Sequence, residues 1–141
     1  MLFGAGSPPS ALPPRQFGRR LPAAAVAGVW LYHGLWCKLL GGCPEQALVV
    51  GDVPGLGGRR AKTVLLGLGL VETALAGWVI SGVRPRLAAA TGTALVVGMN
   101  AGGLLFGRRH IPAPKALVLE NLGFVALAWL AAESDRVAVG E

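Results

Sequence analysis

The chain has 141 residues, 53% of them hydrophobic and only 14% charged, with a mean hydropathy of +0.58. A soluble domain usually carries about 25% charged residues, so this composition argues against a water-soluble fold and for an integral membrane protein. The net charge of +6 raises nucleic acid as a partner. The basic residues, however, stand at the ends of apolar runs, which is where headgroup anchoring places them, and no basic helix or aromatic platform is present to read bases.

In chain order, residues 1–21 hold Pro8-Pro9 and Pro13-Pro14, then Arg15, Arg19 and Arg20. They read as a disordered N-terminal tail. Arg19-Arg20 before an apolar run has the form of a twin-arginine export signal. No small-residue cleavage site follows and three more apolar runs do, so an uncleaved first helix is the better reading. A hydrocarbon core about 30 Å thick needs roughly 20 apolar residues per helix. Four stretches qualify, at residues 22–41, 63–83, 87–106 and 116–132. Cys43-Pro44 opens a long first connection, in which Glu45 to Val50 reads as a short interfacial helix lidding the bundle. Gly51, Pro54, Gly55, Gly57 and Gly58 then break regular structure. Val83-Arg84-Pro85-Arg86 joins the second and third runs tightly. Pro112 and Pro114 stop the chain before the fourth, and residues 133–141 form a polar tail. The expected architecture is an all-α, up-down bundle of four transmembrane helices.

An even number of spans puts both termini on one side. Six basic residues fall on that side (Arg15, Arg19, Arg20, Arg84, Arg86, Arg136) and six on the other (Arg59, Arg60, Lys62, Arg108, Arg109, Lys115). The positive-inside count is therefore balanced and sets no orientation. Cys37 and Cys43 both lie toward the loop side. If they pair, that side faces an oxidising compartment and the termini are cytoplasmic; a pair of ordinary thiols fits the spacing as well.

Polar residues inside the runs carry the functional signal, because an ionisable group in the membrane is costly unless it faces a partner or a wet cavity. At 1.5 Å per residue, His33 lies about 16 Å into the first run and Glu72 about 13 Å into the second, entering from the opposite face. A Glu72–His33 contact is expected. Lys38, Asn100, Glu120 and Asn121 fall within roughly 5–10 Å of the loop-side boundary. There Lys38 pairs with Glu120 and the asparagines satisfy the remainder, or each serves only as interhelical glue, with Lys38 snorkelling and Glu120 favoured by the helix dipole. Gly69, Thr73, Gly77 and Ser81, and Ala90, Ala94, Gly98 and Gly102, recur every four residues and read as packing surfaces. Trp36 reads as an interface belt residue. Trp30 and Tyr32 suit either ordinary packing or a flat pocket for a quinone ring. A two-histidine haem, a CxxC thiol centre, a zinc-spaced cluster and a serine-histidine-acid set are absent from the pattern.

The stretch GVWLYHGLWCKLLGG, Gly28 to Gly42, with Trp30, Tyr32-His33-Gly34 and Lys38-Leu39, resembles the first-helix signature of the DoxX-like family. Gly69-Leu70-Val71-Glu72 and Asn121 also fit it, so the resemblance covers roughly residues 22–132. One departure stands out: Glu120 occupies the place before that Asn where the family leads one to expect Lys. The resemblance implies a small four-helix protein of a bacterial or archaeal inner membrane. It also implies kinship with a subunit of a thiosulfate:quinone oxidoreductase and with membrane-tethered redox and thiol-stress systems.

These strands converge on a membrane-anchor subunit of a quinone-linked or oxidative-stress redox assembly. Glu72, His33 and Lys38 would bind quinone or relay protons, beside a pocket of Trp30, Tyr32, Asn100, Glu120 and Asn121. The lipid bilayer and a soluble oxidoreductase would be its partners, and no metal is implied. The alternatives are a small proton-coupled transporter acting as a homodimer, and a scaffold subunit without a site.

Overall fold

The computed structural model of the protein describes residues 14–138, which are helical with no strand among them. Helix α1, Pro14–Leu31, runs directly into a π-helical segment, Tyr32–Leu39. A short α2, Glu45–Gly51, is followed by α3, Arg59–Ser81, and α4, Pro85–Phe106. A single 3₁₀ turn, Arg108–His110, leads to α5, Pro114–Ala138.

Three of these helices are long and apolar enough to cross a membrane: α3, α4, and α5 from Pro114 to Asp135. The expected first span is realised differently. Its apolar residues are divided between two helix types, and the continuous α-helix at its start carries Arg15, Arg19 and Arg20. Two expected boundaries are also corrected. Residues 14–21 are helical, because Pro14 is suited to a first helical turn and the basic residues after it are good helix formers; residues 1–13 of the expected tail lie outside the described residues. At the other end α5 runs on to Ala138, past the polar Glu133 and Asp135.

The packing follows the small residues. Helix α1 lies between α3 and α5, and α4 packs along α5 and only loosely on α3. The core contains Ala23, Val26, Ala27, Trp30, Leu75, Ala76, Val96, Ala128 and Ala131. Alanines there let helix backbones approach closely, which is the main source of attraction between helices in lipid. Trp30 fills the remaining width, edge-to-face on Phe124 with ring centroids 5.1 Å apart.

The expected small-residue stripes are only partly used within the chain. Gly69 and Thr73 face the π-helical segment, whereas Gly77, Ala90, Ala94 and Gly98 are exposed and point away from the bundle. The buried seam of α4 is instead Ala88, Ala89, Gly92, Val96 and Gly103.

Charged groups gather at the two ends. At the terminal end Arg20 pairs with Asp135 at 2.7 Å and donates to the Ile80 carbonyl, tying α1, α5 and α3 together. Arg86 bonds Glu133 there at 2.9 and 3.3 Å. Gly82 (φ +70°) and Arg84 (φ +45°) make the turn between α3 and α4, with Pro85 starting the next helix. The left-handed conformation is one that glycine adopts freely at a helix C-terminus.

Candidate functional site

The site begins with two glycines. A Cβ built on Gly34 would lie 2.8 Å from the Glu72 Cβ and 2.9 Å from the Gly69 carbonyl oxygen. One built on Gly69 would lie 2.9 Å from the Gly34 carbonyl oxygen and from the Lys38 Cβ. The π-helical segment and α3 therefore touch backbone to backbone, a distance only glycine permits at both positions. In a π-helix the hydrogen bonds close at i→i+5, so residues five apart sit over one another. Lys38 accordingly folds back on its own segment, its Nζ 3.4 Å from the His33 carbonyl oxygen, and reaches across to α3.

There it meets Glu72. Lys38 Nζ donates to Glu72 Oε1 at 3.1 Å and lies 2.8 Å from Oε2. Both side chains are withdrawn from the surface, at 6% and 1% exposure, and Glu72 is the largest fully buried side chain among the described residues. Oε2, the nearer oxygen, is neutralised by the ammonium's charge but has no aligned hydrogen bond. A buried ion pair recovers its desolvation cost only with good geometry, and losing one partner typically costs about 3–5 kcal/mol.

A second polar contact joins α4 to α5. Asn121 Nδ2 donates to Asn100 Oδ1 at 2.9 Å, and Asn100 Nδ2 donates to the Val96 carbonyl at 2.8 Å. Nearer the terminal end, Trp129 Nε1 donates to Thr93 Oγ1 at 3.0 Å. The Asn121–Asn100 and Trp129–Thr93 bonds are of the interhelical kind that membrane bundles use to fix register.

Above the ion pair, α2 lies against α3 and the end of α4, with Val49 seated on Gly103 and Gly107. Its end is clamped: Arg109 makes two 2.7 Å bonds to the Asp52 carboxylate, and His110 Nε2 approaches the same group at 3.1 Å. The Arg109 guanidinium holds the Asp52 carboxyl below its ordinary range. Beneath this lid opens a cleft of about 740 Å³, with Lys38 among its lining residues together with Lys62, Asp52, Arg109 and His110. Cys37 and Cys43 are joined in a disulfide that also lines it.

Several expected contacts are replaced. Lys38 pairs with Glu72, not with Glu120, which is exposed at the start of α5. The partner of Glu72 is Lys38, not His33: the imidazole is exposed, edge-on to Tyr32 at 5.2 Å, and it shares an electrostatic neighbourhood with Lys38 and Glu120. Tyr32 is 54% exposed on the outer face. Trp30 is in the core, and neither aromatic lines the cleft. Asn100 and Asn121 bond each other and stand apart from the ion pair. The Asp52–Arg109–His110 clamp and the role of Gly34 were not foreseen. Asp52 is the one carboxylate between Glu45 and Glu72, a signal that, set against the basic Arg108-Arg109-His110 run, points to a loop-to-loop contact.

Comparison with curated proteins finds no match, and neither does comparison with solved structures. The family comparison does match, over residues 27–129, an interval that holds Gly34, Lys38, Glu72, the cleft and the asparagine pair. The chain belongs to the DoxX-like family.

Proposed function

We propose that this protein is a small membrane subunit of a quinone-linked redox assembly, and that Lys38 and Glu72 form its head-group site. The observation that supports this reading is the buried Lys38–Glu72 pair, whose lysine lines an open cleft and whose carboxylate keeps one oxygen without an aligned hydrogen bond. A cleft of about 740 Å³ is within the usual range for a small-molecule site. Lys38, which lines it, offers N–H groups to a carbonyl oxygen. Glu72 Oε2 offers an acceptor to a hydroxyl, or a place for a proton. Bound quinone supplies two-electron chemistry with uptake of two protons. The chain's own residues orient the ring oxygen and hold a proton at Glu72, while Lys38 moves between carboxylate and ligand. His33 contributes its carbonyl to Lys38.

In this reading the first segment, residues 14–39, is a fourth crossing. The disulfide end faces an oxidising compartment, the termini are cytoplasmic, and the membrane is the cell membrane. A soluble oxidoreductase docks on the assembly and exchanges electrons with the quinone.

Affinity purification in mild detergent, followed by mass spectrometry and solvent extraction, tests this. The expected result is retained quinone and a stoichiometric oxidoreductase. Glu72→Gln and Lys38→Met should each weaken quinone retention by about tenfold or more, the scale of a lost charged hydrogen bond. A clean homodimer with neither quinone nor partner overturns the proposal and turns attention to ion-dependent flux in vesicles.

A further inference from the structure

The disulfide occupies a telling place. Both Cys37 and Cys43 line the cleft. Cys37 is only 3% exposed while Cys43 is half-buried, so Cys43 is the more accessible end of the bond. The turn between them has other supports: the Leu40 N–H donates to the Leu35 carbonyl and the Gly42 N–H to the Trp36 carbonyl, both at 2.9 Å. A cross-link closing so short a loop also constrains the unfolded chain less than one closing a long loop. Structural need alone therefore gives the bond little reason to face a cleft.

The charge in that cleft is uneven. Arg109 is engaged by Asp52, and Lys38 by Glu72. Lys62, exposed on the first turn of α3, lines the same cleft and has no ion-pair partner among the described residues. An uncompensated ammonium draws anions toward a site, and a nearby cation favours the thiolate over the thiol.

We infer that Cys37–Cys43 is a thiol–disulfide exchange centre whose cleft admits small anionic thiols. The incoming thiolate attacks the Cys43 Sγ, the Cys37–Cys43 bond breaks, and Cys37 leaves as a thiolate. A mixed disulfide remains on Cys43. A second thiolate attacks the external sulfur of that mixed disulfide, forming a free external disulfide and releasing Cys43 as a thiolate. Two thiols are oxidised, the cysteine pair gains two electrons, and the two protons shed by the external thiols are available to Cys37 and Cys43. Exchange stands on the cleft alone. Turnover needs a two-electron acceptor and rests on the quinone reading above, in which quinone takes two electrons and two protons as Cys37 and Cys43 rejoin.

The test uses the full chain in nanodiscs, with reduction by glutathione or by neutral 2-mercaptoethanol followed by acid quenching and mass-tagged alkylation of the two cysteines. Glutathione is expected to reduce the bond in the folded protein. Lys62→Glu should slow glutathione roughly tenfold or more, the lower end of electrostatic steering, and leave 2-mercaptoethanol nearly unaffected. A disulfide that resists glutathione until the protein is unfolded overturns the inference. So does a Lys62→Glu effect equal for both thiols. In a second arm a short-chain quinone is added to the reduced protein and quinol is followed by absorbance. Failure there with intact exchange removes the quinone reading and leaves the exchange centre standing.

Discussion

At the scale of single residues, the proposed site rests on how Lys38 and Glu72 neutralise each other out of water. The two ends of the pair are not equivalent. Glu72 is fully buried on α3, whereas Lys38 has a flexible stem and the cleft beside it. Lys38→Met leaves a carboxylate in an apolar setting and should destabilise the bundle by about 3–5 kcal/mol. Glu72→Gln keeps an acceptor for the ammonium and should cost less. Replacing both, Lys38→Met with Glu72→Leu, should recover most of the loss, since a buried pair exchanged for apolar residues of similar volume is often neutral. Unfolding of the four forms in mixed micelles checks this, and a double variant no better than Lys38→Met alone would contradict it. Gly34→Ala reaches the same pair through the backbone. Its methyl would press on Glu72 Cβ and the Gly69 carbonyl, so separation of the two segments should cost about 1–3 kcal/mol, as overpacking does. Gly77→Ala, a change with nothing within 4 Å, should be silent in the same assay.

Between helices and loops, the lid is held by charge more than by burial, because no residue of α2 is buried. The sign of its pH dependence follows from Asp52. Arg109 lowers the Asp52 carboxyl in the folded protein. Its contribution is therefore fully present above the ordinary carboxylate range and is lost as pH falls through the lowered folded value. Amide exchange at Asp52 and Val53, whose N–H groups bond Val49 and Val50, should show constant protection from pH 6 to 8. It should fall only below about pH 4, and Asp52→Asn should lose it throughout. Full protection retained in Asp52→Asn would contradict a clamp held by that carboxylate. The sequence made this lid legible, because Glu45 to Val50 is short and apolar on one side between Pro44 and a run of glycines. The three long helices were legible for a related reason: length and hydropathy set them. What resisted reading was rotation. Depth along a helix placed Lys38, His33 and Glu72 near one level but could not say which way each points. The π-helical segment, whose wider turn leaves no signature in apolar spacing, swings Lys38 toward α3 and His33 outward. The helices outrun the apolar runs because apolar character stops at the membrane while helical propensity does not, as Arg15 to Arg20 and Glu133 to Asp135 show.

For the whole molecule, the decisive matter is whether residues 14–39 cross the bilayer beside α3. The contacts describe an antiparallel path along that helix. Arg20 meets the Ile80 carbonyl near the end of α3, Gly34 meets Gly69 midway, and Leu40 and Gly41 share the cleft with Gly58 and Ala61 at its beginning. Helix α3 has 23 residues and so measures about 35 Å, enough for a hydrocarbon core of about 30 Å. On the proposed reading, the segment that accompanies it from end to end passes through the same thickness. Its polar interruption at Lys38 is met by Glu72, so the span needs no water to carry that charge. Four crossings put both termini with Val83, opposite Pro54 and Ala113. Single cysteines at Ser10, Pro54, Val83, Ala113 and Gly140, placed in a Cys37→Ser/Cys43→Ser background, make this measurable with a membrane-impermeant maleimide. In intact cells Pro54→Cys and Ala113→Cys should label, while Ser10→Cys, Val83→Cys and Gly140→Cys should label only after permeabilisation. The fully inverted pattern would keep four crossings and reverse the orientation, which would leave the Cys37–Cys43 disulfide on a reducing side. Labelling of Ser10→Cys together with Pro54→Cys, against protected Val83→Cys, would mean three crossings. Residues 14–39 would then lie along the bundle without spanning it, and the buried Lys38–Glu72 pair would sit at a lateral seam.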